Sequence, residues 1–254
     1  MIREYFRPQT LEAALALLAR QERPPAPLGG GTALNQPDNP VEAVVDLQAL
    51  GLDQLDVAGP ELRIGATATL ENLAHFPELP EALERAIRLE VPVNLRRAAT
   101  IAGRLVSASG RSPFACAMLA LDATLVWEPG QVEISLGDWL PLRAVRHPGS
   151  LIVAIHIHQA VRLAFETVGR SPQDLPILCV AAARWRSGRT RVALGGFGDA
   201  PIVALDGPES HGVEMACRDA CSAASDAWAS AEYRAEMAGL LAGRAAAALA
   251  GKGD

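Results

Sequence analysis

Residues 96–125, RRAATIAGRLVSASGRSPFACAMLALDATL, pass from a basic pair through a small-residue turn, Thr100-Ile101-Ala102-Gly103, into an unbroken apolar stretch. FACAMLAL, residues 114–121, predicts a buried helix, and ATLVWE after it predicts a strand, so the turn lies among alternating helical and extended elements. A turn built of such small residues lets a backbone approach a ligand closely. Gly29-Gly30-Gly31-Thr32 offers the same chemistry roughly seventy residues earlier, after the extended Pro-rich stretch ERPPAPL. Two such turns suggest a clamp on a diphosphate, which needs N–H donors and no bulky side chains where the backbone comes near. Two ordinary tight turns are the alternative. Neither is a Walker loop, since no Gly-Lys-Ser/Thr follows, and neither is a GxGxxG opening a helix.

Outward from these turns the elements are short. TLEAALALLAR, residues 10–20, predicts a helix capped by Thr10, with Leu11, Leu15 and Leu18 on one face. VEAVVDL and ELRIGATAT predict strands around a turn at Ala58-Gly59-Pro60. Residues 70–89 have helical period, interrupted at Pro77 and Pro80. The pattern loosens between Pro141 and Pro148, which places a domain boundary there and divides the chain into 1–146 and 147–254. LIVAIHIH then predicts a strand opening the second part, and PILCVAAARWRSGRTRVALGGF a β-hairpin turning at Ser187-Gly188. From Gly212 to Leu249 the chain is Ala-rich and helical in spacing, broken near Ser225 and Asp226, with Ser225 as the expected cap.

A chain of 254 residues, half of them hydrophobic, fills a real core, and its net charge of −6 argues against a nucleic-acid partner. No apolar run approaches the roughly 20 residues of a membrane span, so a cytoplasmic location is expected. Cys116, Cys179, Cys217 and Cys221 form no CxxC pair and predict packed, reduced thiols. His156 and His158 share a strand face as two metal ligands would, but no third ligand candidate is near. Arg184, Arg186, Arg189 and Arg191 flank the hairpin turn, either as a basic patch or as a solvated hairpin. No Gly-x-Ser-x-Gly elbow or Cys/His pair offers a nucleophile, and no catalytic side chain is expected.

In order along the chain, Tyr5, Pro8, LEAALALL, GGGTAL, VVDLQALGLDQL, LRIGATATLENL, NLRRAATIAGRL and LALDATL resemble the FAD-binding medium subunit of the molybdenum hydroxylases, the group of xanthine dehydrogenase and aerobic carbon monoxide dehydrogenase. RVALGGFGDAPI and SDAWASAEYRAEMAGLLAGRA continue the likeness to the end. The resemblance implies an α+β fold, with a two-part α/β FAD-binding domain of the vanillyl-alcohol-oxidase-like type followed by a small domain of antiparallel strands and helices. It implies an FAD whose diphosphate meets Gly29, Gly30, Gly31, Thr32 and Ala33 on one side and Thr100, Ile101, Ala102, Gly103 and Arg104 on the other, with Ser107 as an extra hydroxyl. It also implies partner subunits carrying iron–sulfur centres and molybdopterin, and an acceptor such as NAD or a quinone.

The sequence departs from that pattern at several points. Ala102-Gly103-Arg104 stands where the family has Gly-Gly-Asn, Ser107 where an Asn is customary, Ala33 where Asp or Ser is frequent, and Pro113 near a usual Asp. Alanine at 102 would be resisted if the backbone there required a positive φ. Arg104 would either pair with the diphosphate or fill space an adenosine needs. A flavin-free structural or assembly subunit is therefore the alternative reading.

Overall fold

The computed structural model describes residues 2–35, 39–145, 147–171, 174–208 and 210–251. They form two compact units, one of Met1–Phe76, Val93–Ser107 and Thr124–His156, the other of Pro77–Pro92, Ala108–Ala123 and Ile157–Asp254.

In the first unit, β1 (Glu4–Phe6), β2 (Ala26–Leu28) and β3 (Ala43–Asp46) form a parallel sheet in the order β1-β3-β2. Helix α1 (Leu11–Leu18) begins where Thr10 Oγ1 accepts from the Ala13 N–H at 3.2 Å, as its Ser/Thr-type cap predicted. Its Ala14 and Leu18 are buried in a cluster with Val45, Leu47 and Leu151. The hydrophobic spacing read from the sequence thus becomes the contact that holds α1 in place.

A five-stranded sheet follows in the order β4-β5-β8-β6-β7, from β4 (Leu55–Ala58), β5 (Glu61–Gly65), β6 (Thr124–Glu128), β7 (Val132–Ser135) and β8 (Leu151–His158). The turn at 58–60 joins β4 to β5, so the partner of ELRIG is LDVA and not VEAVVDL, which lies in the parallel sheet. LDVA escapes sequence reading because none of its four residues is buried and it shows no inside-outside alternation. LIVAIHIH is a strand, as predicted, and occupies an interior position in this sheet.

Short helices α2 (Leu70–Ala74), α4 (Val93–Arg96), α5 (Ile101–Val106) and α7 (Leu136–Trp139) complete the first unit. Helices α2 and α5 start side by side from an antiparallel bridge between Thr69 and Thr100. Each threonine caps its own helix, accepting from Asn72 N and from Gly103 N respectively.

The second unit carries an antiparallel sheet, β12-β11-β10-β9, of β9 (Arg162–Val168), β10 (Leu178–Arg184), β11 (Thr190–Gly195) and β12 (Ile202–Gly207). The predicted hairpin is β10–β11, with Gly188 at φ +91° in its turn. Helices α3 (Glu81–Glu90), α6 (Pro113–Ala120), α8 (Val213–Ala220) and α9 (Ala231–Ala250) belong to the same unit. Ser230, and not Ser225, caps α9, accepting from Tyr233 N at 3.3 Å.

Arg234 of α9 is fully buried and saturated. It pairs with both oxygens of Asp226 at 2.8 and 2.9 Å and donates to the carbonyls of Ile177, Ala224, Ala229 and Gly196. A buried guanidinium is tolerable only when paired and hydrogen-bonded in this way. The chain is a mixed α/β protein with antiparallel sheet in both units.

Candidate functional site

Parallel strand β2 ends at Leu28, and residues 29–35 turn directly beyond it. Asn35 N donates to Gly31 O at 3.0 Å, closing one helical turn. Among the described residues, the N–H groups of Gly30, Gly31, Thr32 and Ala33 have no protein acceptor. A row of bare amides beyond a parallel strand is an anion-binding arrangement, since each N–H carries partial positive charge and lacks a partner. Gly31 holds φ +71°, which a side chain would resist.

The neighbouring glycines serve a different need. A Cβ on Gly30 would stand 1.5 Å from the Ala98 carbonyl oxygen, and one on Gly29 would stand 2.6 Å from Thr100 Oγ1. Their missing side chains let the first turn lie against residues 98–100. Thr100 Oγ1 is the pin between the segments, accepting from Gly103 N at 3.3 Å while Gly29 packs on its other side.

The second segment is the start of helix α5 rather than an open turn, and its N–H groups are spent inside the protein. Ile101 N donates to Ala68 O at 2.8 Å, Ala102 N to Ala66 O at 3.2 Å and Arg104 N to Thr100 O at 2.9 Å. Ala102 does not have a positive φ, so alanine is unstrained there. Ile101 is fully buried. Ser107 is the C-cap of α5, and its hydroxyl donates to Gly103 O at 2.8 Å.

A cavity of about 460 Å³ opens between the two segments. That size is in the usual range of small-molecule sites. Gly29, Ala33, Thr100, Ala102, Gly103 and Ser107 line it; Gly30, Gly31, Thr32, Ile101 and Arg104 do not. Arg104 is half-buried and engaged within the protein. Pro113 lies in the second unit as the first residue of α6, buried, where Ser112 caps the helix and Glu90 accepts from Ser112 Oγ at 2.8 Å and Phe114 N at 3.1 Å.

Sequence reasoning missed the aromatic side of this cavity. Trp127 of β6 and Trp139 of α7 line it with ring centroids 5.9 Å apart, and His147 meets Trp127 edge-on at 5.8 Å. Trp127 lies in a strand the sequence predicts, but which face it presents depends on its register with β8, which the local pattern does not carry.

Nearby, the buried Asp46 at the end of β3 accepts from the Tyr5 hydroxyl and from Gln48 N, and lies 3.7 Å from Arg7 Nε. The Tyr5 phenol is held above its ordinary pKa, chiefly by that hydrogen bond.

His156 lies 3.7 Å from Glu133, and no cluster of three metal-ligating side chains occurs among the described residues. All four cysteines are buried and free, and burial pushes Cys217 up to about 12 and Cys221 to about 11. Arg189 and Arg191 form no open basic patch, because both pair with Asp122 and Asp206 at 2.8–2.9 Å. No described helix is long and apolar enough to cross a membrane.

Bare amides beyond a parallel strand, beside an apolar cavity, are an arrangement that suits an anionic, nucleotide-like ligand. Residues 1–159 match the family described as FAD binding domain in molybdopterin dehydrogenase, and the chain belongs to that family. It is thus an oxidoreductase subunit, with FAD as the cofactor that membership supports.

The chain is similar over 248 residues, at 29% identity, to the Escherichia coli K12 protein YgfM, covering 95% of this chain and 94% of that one. It is 33% identical over 147 residues to the nicotinate dehydrogenase FAD-subunit of Eubacterium barkeri, across 54% of this chain and 50% of that one. Its fold is that of a chain of the CO dehydrogenase of Oligotropha carboxidovorans, with a TM-score of 0.82, 24% identity and 95% of each chain covered. It is also that of a chain of quinoline 2-oxidoreductase from Pseudomonas putida 86, with a TM-score of 0.81, 19% identity, and 98% and 96% of the two chains covered.

Proposed function

We propose that this chain is the FAD-binding electron-transfer subunit of a molybdenum hydroxylase of the xanthine dehydrogenase or carbon monoxide dehydrogenase kind. It works in the cytoplasm, receives electrons from an iron–sulfur subunit served by a molybdopterin subunit, and delivers them to an external acceptor such as NAD or a quinone. Residues 1–146 are the FAD-binding domain, of the two-part vanillyl-alcohol-oxidase-like type, and 147–254 the C-terminal flavoprotein domain.

The observation that carries this reading is the unpaired amide row of Gly30, Gly31, Thr32 and Ala33 beside the cavity. Those N–H groups, with the Thr32 hydroxyl, hold the diphosphate, each charge-assisted hydrogen bond contributing about 1.5–3 kcal/mol. The Thr100–Arg104 segment contributes shape: Thr100 fixes the donor turn from behind, while Ala102, Gly103 and Ser107 form cavity wall. Ala66, Leu151 and Ile152 exclude water from the same space. When bound, FAD supplies the exchange between two-electron and one-electron transfer. The chain's own residues bind, orient and shield it.

The test is an absorption spectrum of the purified chain before and after adding FAD, with flavin quantified after denaturation. The expected result is a near-stoichiometric flavin whose bands shift on binding. A colourless chain that takes up no FAD yet still binds an iron–sulfur subunit would overturn the proposal in favour of a structural or assembly subunit.

A further inference from the structure

The donor row and the cavity beside it lie in the first unit, and a second, polar cavity in the second unit has no part in that reading. Leu89, Thr167, Arg170, Asp174 and Pro176 are among the residues lining this space of about 250 Å³. That is below the range of drug-sized sites, so it suits a small ligand. Its two charged side chains, Arg170 and Asp174, are both exposed and do not pair with each other. Among the described residues, neither side chain has a hydrogen bond or an ion pair with any other group.

What holds Arg170 is an aromatic face. Its guanidinium carbon lies 4.9 Å from the Trp228 ring centroid, and that of Arg111 lies 4.2 Å from the same ring. The indole is itself anchored, because Asp226, paired with the buried Arg234, accepts from Trp228 N at 2.8 Å and from Ala229 N at 3.2 Å. Arg111 is spent on the backbone, donating to Leu175 O at 2.6 Å and to Pro176 O at 3.2 Å. Arg170 differs from it in keeping its N–H groups open to an acceptor while the stack limits its movement.

We infer that this cavity binds a small zwitterion of the α-amino acid class, with its carboxylate on Arg170 and its ammonium on Asp174. An anion alone would satisfy Arg170 and be repelled by Asp174, and a cation alone would do the reverse. A ligand whose two charges stand a few bonds apart answers both, and Leu89 and Pro176 give an apolar wall to a short side chain. Because water reaches both charged groups, the affinity is modest, about 1 mM. Every residue involved belongs to the second unit, so the inference stands apart from the flavin reading.

The experiment is saturation-transfer NMR on the full chain, with L-alanine, acetate and ethylamine as probes. L-Alanine should bind, and acetate and ethylamine should bind about fivefold more weakly. Arg170→Gln and Asp174→Asn, both at exposed positions, should leave Tm unchanged and should each weaken L-alanine binding by about fivefold. Asp174→Asn should at the same time strengthen acetate binding, because it removes the repelling carboxylate. Undetectable L-alanine binding, acetate binding as tight as L-alanine binding in the parent chain, or indifference of L-alanine to either substitution would overturn the inference.

Discussion

The packing of Gly29 against Thr100 makes a quantitative prediction about the site's architecture. A Cβ at position 29 would meet Thr100 Oγ1 at 2.6 Å and Cγ2 at 3.0 Å, about 0.8 Å and 0.4 Å inside ordinary contact at 3.4 Å. The backbone at Gly29 has no positive φ, so Gly29→Ala costs space and not backbone strain. Overpacking of this kind costs about 2 kcal/mol. Thr100→Ala removes the cap on Gly103 N and costs about 1 kcal/mol.

Because Thr100→Ala also removes both close atoms, only the Cβ of residue 100, at 3.3 Å, remains against the new methyl. The double variant should then cost about 1 kcal/mol instead of about 3 kcal/mol, a coupling near 2 kcal/mol. Urea unfolding of the four proteins measures it. FAD affinity should follow the same pattern, lost in Gly29→Ala and recovered in the pair, because the amide row moves with residue 29. Additivity within about 0.5 kcal/mol would refute the packing argument.

Two further predictions concern the second unit. The Asp206 carboxyl is held below its ordinary range, first by its hydrogen bonds to Arg189 and then by Arg191. A depressed folded pKa gives stability that is complete above the unfolded value of about 3.9 and is lost as pH falls through the folded one. Asp206→Asn should therefore lower Tm at neutral pH and flatten its fall below about pH 4, as thermal scans across pH would record. Ser230→Ala should cost about 1 kcal/mol as the true cap of α9, whereas Ser225→Ala, at an exposed position, should stay within about 0.5 kcal/mol in the same unfolding assay.

What the sequence made legible was local. Thr10 before an apolar periodic run, Pro77 and Pro80 between two helical pieces, and Ser187-Gly188 between alternating strands each act over a few residues, and each element stands where it was read. What it hid was pairing over distance. β4 is recognisable only beside β5, and Ser230 outcompetes Ser225 because Asp226, drawn to the buried Arg234, also accepts from the N–H groups of Trp228 and Ala229 just before the helix. In the site, TIAG reads as an open turn because its acceptors, the Ala66 and Ala68 carbonyls, lie more than thirty residues away.

That distance changes what the two small-residue segments mean. A symmetric clamp would need free donors on both sides, and would be weakened by any departure in the second segment. With the N–H groups of Ile101, Ala102 and Gly103 already paired, the second segment is a buttress whose value lies in its shape and in Thr100. Alanine at 102 and arginine at 104 then cost no donor: the first sits on helical backbone, and the second is engaged within the protein and is not among the residues lining the cavity. The sensitive positions are those that place the bare amides, Gly29 and Gly30 through the room they leave for Thr100 and Ala98, and Gly31 through its positive φ. A side chain at any of these three would disturb the row of backbone donors that the described residues of the site leave unpaired.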